Sequence, residues 1–594
     1  MSFKRIGTYK RQDRERVFSQ NDFSGGISPN AKFQDSTKNL KYMENMMFDS
    51  GSLVCRKGQK RAMAEELGKC KGSIVYGNNI IMHIGESLYS WHLFSTEPPQ
   101  PICELPAIRS NMFTFANKLY ILSNAGYFCY DGSTIKEVEP YIPVIAIDRS
   151  KDGSTSSIYE SLNLIGNGFT VWFNFDGDGT YELPLDNLKD DFLATLNGID
   201  ISSSCEFDAL TGRLSVNGFS QEDEGINNLR ITAYRKDEDI AEGKNMILGC
   251  SLSEIFGGTD GFGTRVFLSG NLSFPTYCFR SGLLDPTYFP DTDYEIIGDA
   301  GDTVTALKKQ YNELIVFCKN SIHAVSYIID NGEVIFSRRT IHPSIGCSVQ
   351  KSIQLIDNNL VFFSSDKGVM MISSTISQNE NNVVQLSQNI NKGEYGLLPY
   401  SLGAEDDMFS IDHMGKYHLF VKNKVFVWDY NEYPYLNSGG TIVSQKKLCW
   451  YIYTNMKVNH PFEYYNYIFY FSDEGCIDYY AATLSDFGFP VNARIVTADS
   501  GLGLPRLEKK LHHINISYSC DEDAKIELFI FRNGAEENDY ESRILIKSES
   551  TKSPTKKHYE RFPVSIAPAH SFNVEIKVNA NVFELHGIDF EYSV

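Results

Sequence analysis

The side chains in this 594-residue sequence with the means to do chemistry are scattered, so their spacing decides what they can do. His512 and His513 are neighbours in a strand-like run (HHINISYS), where adjacent side chains point to opposite faces and do not share one metal in-plane. His413 and His418 flank a Gly turn and read as surface residues. In NFDGDGT, Asn174, Asp176 and Asp178 offer oxygens at alternate positions, as a calcium loop does. The distal bidentate acid of an EF-hand is missing, and a hairpin turn is the favoured reading. Asp406–Asp407 and Glu222–Asp223–Glu224 supply adjacent carboxylates, the raw material of glycoside hydrolysis. Without a fixed constellation they read as solvated loops. Trp172, Tyr433 and Tyr435 are aromatics able to stack on sugars, with strand packing as the plainer account. There is no P-loop, dinucleotide glycine motif, G-x-S-x-G or H-E-x-x-H.

Twelve cysteines are spread from Cys55 to Cys520 without a C-x-x-C pair or a cluster of zinc ligands. Their density is far below that of a disulfide scaffold, so reduced thiols in a folded core are expected. The sequence therefore predicts no catalytic set, no cofactor and no metal; the expected protein is not an enzyme.

Charge adds a second constraint. The chain has 55 Lys plus Arg against 75 Asp plus Glu, a net charge of −20, which argues against wholesale coating of nucleic acid or an anionic membrane. The imbalance is uneven. Residues 1–62 carry 13 basic and 6 acidic side chains, whereas 151–260 carry 7 basic and 20 acidic. Lys4, Arg5, Lys10, Arg11, Arg14 and Arg16 mark a basic arm over 1–20, expected to order on a partner or a DNA end. No stretch approaches the ~20 apolar residues of a membrane helix, and the first residues lack a secretory core. The chain is expected to stay in the compartment where it is made.

Strands must position whatever this chain presents, because its aromatic fraction is 13% with 34 Tyr and 39 Phe. An internal repeat organises them. IVYGNNIIMHIGESLYSW (74–91) aligns with FTFANKLYILSNAGYFCY (113–130) at an offset of 39, as strand, Asn turn, strand, Gly turn and aromatic strand. Similar units recur at 311–326, 357–373, 415–430 and 465–480. Four short strands in about 40 residues mark a propeller blade, and about six blades are countable. Ring closure is expected to join strands from both ends of the propeller and remove an exposed sheet edge.

The fold expected is all-β: a β-propeller of about six blades over 21–151 and 263–503, an inserted mostly-β domain at 152–262, and a C-terminal β-sandwich at 504–594. Within the insertion, Leu185, Leu188, Phe192 and Leu196 have helical spacing and predict a helix over 185–198.

NDFSGGISPNAKFQDSTKNLKYMENMMFDSGSLVCRKG (21–58), RVFLSGNLSFPTYCFRSGLLDPTYFP (265–290), the blade at 305–326 and the terminal runs 504–532 and 583–594 together resemble the tail nozzle (hub) proteins of short-tailed bacteriophages, which stabilise packaged DNA. The likeness touches both ends and the middle of the chain, and its motifs are structural signatures. It implies a virion structural protein made in the host bacterial cytoplasm and built into the tail. The implied partners are further copies in a cyclic homo-oligomer, the portal or adaptor and other tail proteins, and genomic DNA passing without sequence-specific binding. The alternative is a receptor- or glycan-binding propeller at a tail tip; a glycosidase propeller ranks below both.

Overall fold

Alternating apolar strands separated by Asn, Asp and Gly turns bury one or both faces only by stacking sheet on sheet. The computed structural model describes residues 15–29, 38–138, 245–257 and 264–594 apart from 283, 285, 288, 290–293, 300, 331–332, 373–381, 394–395, 432–434, 437–441, 444–447, 522–523, 536–539 and 548–556, together with backbone strands between 157 and 235. The chain is all-β, and its described residues form seven four-stranded antiparallel sheets. It divides into two compact units, one of Lys69–Gln350 with Ser373–Val383, the other of the remaining segments.

The first unit holds four of these sheets. In chain order they begin with strands Cys70–Tyr76, Ser110–Phe115, Leu252–Phe256 and Val304–Gln310, and each runs up and down through its next three strands. Their faces pack in succession. Ile81 and Leu88 of the first sheet meet Leu119 and Ile121 of the second. On the other face of the second sheet, Tyr120, Leu122 and Tyr127 meet Val266, Leu268 and Phe279 of the third. Phe256 and Phe267 then share a core with Leu307, Leu314 and Val316 of the fourth.

The second unit holds the other three four-stranded sheets. The fifth contains Gln354–Ile356, Asn359–Ser364, Gly368–Ile372 and Val383–Gln385. The sixth contains Met408–His413, Lys416–Val421, Lys424–Asp429 and Cys449–Thr454, and buries Trp428 beside Trp450. The seventh takes Asn459–Tyr464, Tyr467–Phe471 and Ile477–Thr483 from late in the chain and Gly58–Met63 from early in it. Strand sharing between distant segments, expected for ring closure, thus occurs in this sheet.

The turn between the first two strands of most of these sheets is a tight one in the left-handed region. Ala116–Asn117, Asp357–Asn358 and Tyr465–Asn466 all have φ between 46° and 63°. Such paired positive φ values match the twist of a two-residue hairpin, and Asn tolerates them best after Gly.

Besides a two-stranded ribbon of Tyr435–Leu436 and Ile442–Val443, two larger sheets belong to the second unit. One joins Met46–Asp49, Ser52–Cys55, Phe583–Ser593, Lys510–Cys520 and His558–Pro563, with Arg16–Gln20 also paired to Phe583–Ser593. The other orders Leu40–Glu44, Val491–Thr497, Phe572–Ala580, Lys525–Arg532 and Ser542–Lys547. Strands before residue 56 therefore belong with the C-terminal sheets rather than with the propeller segment begun at 21. Likewise Leu252–Phe256, inside the 152–262 insertion by sequence, opens the third four-stranded sheet.

Strands at 157–235 form a five-stranded and a three-stranded sheet of their own. The helix expected over 185–198 is corrected: Leu188–Leu196 is a strand paired with Asn227–Arg235, with a register shift between Leu188 and Phe192. Leu188, Phe192 and Leu196 are four apart, and four is a multiple of the strand period as well as near one helical turn.

Candidate functional site

A densely bonded buried polar group lies where the early strand enters the seventh sheet. Arg56 is 1% exposed and directs five hydrogen bonds inward. Its Nε donates to Asn45 Oδ1 at 2.8 Å, and its two Nη atoms hold Asp486 in a fork at 2.9 and 2.6 Å. Carbonyls of Lys57 (2.8 Å) and Thr454 (3.2 Å) take the rest. Burial works against the guanidinium charge, but the Asp486 bonds and charge outweigh it and hold its pKa above the usual value. Asn45 extends the network, donating to Thr454 Oγ1 at 2.8 Å and Asn492 O at 2.7 Å. One guanidinium thus ties together segments near residues 45, 57, 454 and 486. The next strand pairs Arg61 with Asp478 and Gly58 with Thr483. Any β-carbon at Gly58 would stand 2.0 Å from the Ser485 carbonyl oxygen, so only glycine passes there.

A second polar group sits in the first unit. Ser321 Oγ donates to Asp302 Oδ2 at 2.5 Å and lies 2.8 Å from His323 Nε2. His323 Nδ1 in turn lies 3.3 Å from Thr340 Oγ1. Serine, histidine and aspartate meet, but in the order Asp–Ser–His. With the serine proton on Asp302, His323 Nε2 is the donor to Ser321 and offers it no base, unlike a nucleophilic triad. Burial, then the Arg338 charge, lowers the His323 pKa and keeps the ring neutral. The group pins a turn to two strands.

His413 and His418, expected at the surface, are instead 4% and 3% exposed, a correction. They are on adjacent strands of the sixth sheet with ring centroids 6.2 Å apart. The Gly turn they flank is at the rim, but their strand positions face inward, where His418 also meets Phe420 and Tyr480. His413 Nδ1 stands 3.5 Å from Glu463 Oε1, and neither ring nitrogen has a hydrogen-bond partner.

Among the described residues, the other sequence candidates are not brought together. Arg16 begins a strand paired with Phe583–Ser593, while Lys4, Arg5, Lys10, Arg11 and Arg14 lie outside the described residues. So do Asp176, Asp178, Glu222–Asp223–Glu224 and Tyr433, and the side chains of Asn174, Trp172 and Tyr435. Asp406 and Asp407 are in a single 3-10 turn. His512 Nε2 bonds Ser593 Oγ at 2.9 Å, whereas His513 faces Glu591 at 3.3 Å. Among the described residues no group of three His, Cys, Asp or Glu is placed to hold a metal ion. Burial raises the Cys278 and Cys318 thiols to about 12, so neither is a thiolate at neutral pH.

Sequence reasoning missed the Arg56 group, although Arg56 lies near the end of the run 21–58 that carries the resemblance. Its acid partner is 430 residues away, and no local pattern links the two.

Among solved structures, the chain is similar to BamB from Moraxella catarrhalis at 10% identity and a TM-score of 0.31, covering 72% of this chain and 97% of that one. Hsv2p from Kluyveromyces lactis matches at 10% identity and 0.25, covering 65% and 98%. Apo AztD from Citrobacter koseri matches at 9% and 0.27, covering 74% and 97%. Overlaps this shallow say nothing of activity, ligand or partner. No family model matches the chain, and no curated protein matches it either.

Proposed function

We propose that this chain is a structural protein of a bacteriophage tail, whose copies form a ring, a nozzle or hub below the portal and adaptor. In that role it retains the packaged genome and then conducts it during ejection. The observation that carries the reading is the shared seventh sheet. A strand from residues 58–63 completes a sheet otherwise built from 459–483, the kind of strand sharing by which propellers close. Such sharing pairs a sheet edge that would otherwise be free and ties an early segment to a late one, which suits a load-bearing part. The two mixed N- and C-terminal sheets supply a sandwich, and the strands of 157–235 an inserted domain. A net charge of −20 lets DNA pass without being gripped, because each added Lys– or Arg–phosphate contact strengthens binding.

The reading places the chain in the virion tail after synthesis in the host cytoplasm. Mass spectrometry of purified virions, followed by cryo-EM of the tail, tests it. The chain is expected as a ring around the tail axis with a neutral or acidic lumen. Its absence from virions, or a strongly basic lumen built from it, sinks the reading.

A further inference from the structure

Alternation splits the sheet ordered from Leu40–Glu44 to Ser542–Lys547 into two unlike faces. Ile495, Ile576 and Leu528 stand opposite one another and are buried on one face. On the other, Glu44, Arg494, Lys577 and Glu527 form a row across four successive strands. Asn492, Asn579 and Lys525 form the next row. The two rows line a pocket of about 320 Å³, within the ~300–1,000 Å³ of small-molecule sites. Its two lysines are the second partners of their acids. Glu575 accepts from Arg494 Nε at 2.5 Å, whereas Lys577 stands 3.4 Å away. Glu527 accepts from Arg543 Nη2 at 2.5 Å, whereas Lys525 stands 3.6 Å away. The arginine bond also holds the Glu527 carboxyl below its usual pKa, so it stays an acceptor. The Lys577 and Lys525 side chains are 42% and 65% exposed, and their ammonium groups keep N–H donors for a ligand. Glu44 is fixed by Thr454 Oγ1 at 2.5 Å and Tyr42 OH at 3.3 Å. The Asn579 amide donates to Asn492 Oδ1 at 2.7 Å, which fixes both amides.

Donors and acceptors thus share the pocket wall, where the cations Arg494, Lys525 and Lys577 face the carboxylates of Glu44 and Glu527. Glu575 and Arg543, which partner these rows, cancel, so a surplus of one positive charge remains. An apolar ligand would strip water from these groups and return no hydrogen bond. A bare anion would meet Glu44 and Glu527 as well as the lysines. Hydroxyls both donate and accept, and so match a wall that carries both kinds of group. We propose that the pocket binds an acidic saccharide, its hydroxyls spanning the two rows and its one anionic group, carboxylate or phosphate, between Lys525 and Lys577. Those two lie on a diagonal of adjacent strands, a spacing across which long side chains reach one anion. The site is independent of the ring reading above.

Binding of the full chain to an array of neutral, uronate-bearing and phosphate-bearing sugars, followed by calorimetry with those retained, tests it. Acidic sugars are expected to be held, their uncharged counterparts not, and the affinity to fall with added salt. Lys525→Gln/Lys577→Gln keeps most of each stem and removes both charges. It is expected to raise the dissociation constant at least ~10-fold at an unchanged melting temperature. Lys525→Gln alone, at the more exposed lysine, keeps the test informative if the pair folds poorly. Retention of uronates alone supports the site with a carboxylate as its anion, and retention of sugar phosphates alone supports it with a phosphate. No acidic sugar held at millimolar concentration overturns the proposal, as does binding that neither lysine variant changes. Inorganic phosphate or a tetra-aspartate peptide bound as tightly as the sugars overturns it too, in favour of a plain anion or an acidic peptide. Each of these failures leaves the ring reading standing, and absence from virions leaves the pocket standing.

Discussion

Arg56 shows how one side chain holds distant segments in register. All five of its N–H donors are directed into the protein, so its desolvation is offset only while each acceptor stays in place. Asp486→Asn removes the charge and leaves the guanidinium buried beside a neutral amide. The expected loss is about 3–5 kcal/mol, read from chemical denaturation. Arg56→Met with Asp486→Leu removes both charges and should cost less than the two single changes added together. An additive pair would mean the fork contributes nothing beyond its separate parts. His418 makes a second case, through protons. Burial, reinforced by His413, holds its folded-state pKa down at about 3 against an ordinary 6.5. As pH falls below 6.5 the unfolded chain takes up the proton first, so the stability is complete above that value and drains away toward about pH 3. The groups around the ring are His413, Lys416 and Tyr480. His418→Phe, stacked on Phe420, should flatten the fall in stability between neutral pH and about pH 5; an unchanged slope assigns it to other groups.

At the scale of strands, the legible parts were those whose signal is local. The Asn turns of YGNNI, FANKL and DNNL could be read because a two-residue hairpin imposes its own residue preferences. About six repeats were countable, and the described residues form seven four-stranded sheets; the third is hard to read in the sequence because its strands are far apart, and the seventh because it borrows Gly58–Met63. Residues 185–198 misled because a spacing of four satisfies strand and helix alike. The inward histidines at 413 and 418 misled because a Gly turn next to a residue says nothing about which way its strand faces. Tyr311 tests the turn account directly. It occupies a left-handed position with φ of 50° and is 64% exposed, so its side chain has little packing to lose. Tyr311→Asn should raise stability by roughly 0.5–1 kcal/mol, seen as a higher melting temperature. A lower one would mean the ring makes contacts that outweigh the strain.

At the scale of the molecule, strand pairing separates what the fold needs from what it carries. The strands between 157 and 235 pair only with one another, in two sheets of their own. On either side of them, Val138 shares one hydrophobic cluster with Ile247, Leu248 and Cys250. The chain thus leaves and returns at nearly the same place, and a short bridge across it adds little closure entropy. Replacing residues 150–243 with a short Gly-Ser linker is expected to leave one cooperative transition, with its midpoint within about 4 °C of the intact chain. The first 63 residues behave oppositely. They supply Gly58–Met63 to the seventh sheet, Leu40–Glu44, Met46–Asp49 and Ser52–Cys55 to the two C-terminal sheets, and the buried Arg56 to the half-buried Asp486 carboxylate. Removing them opens three sheets and strands Asp486, so that variant should lose cooperative unfolding altogether. If excision of 150–243 instead abolished the transition while loss of the first 63 residues was tolerated, the division between carried and required parts would be reversed.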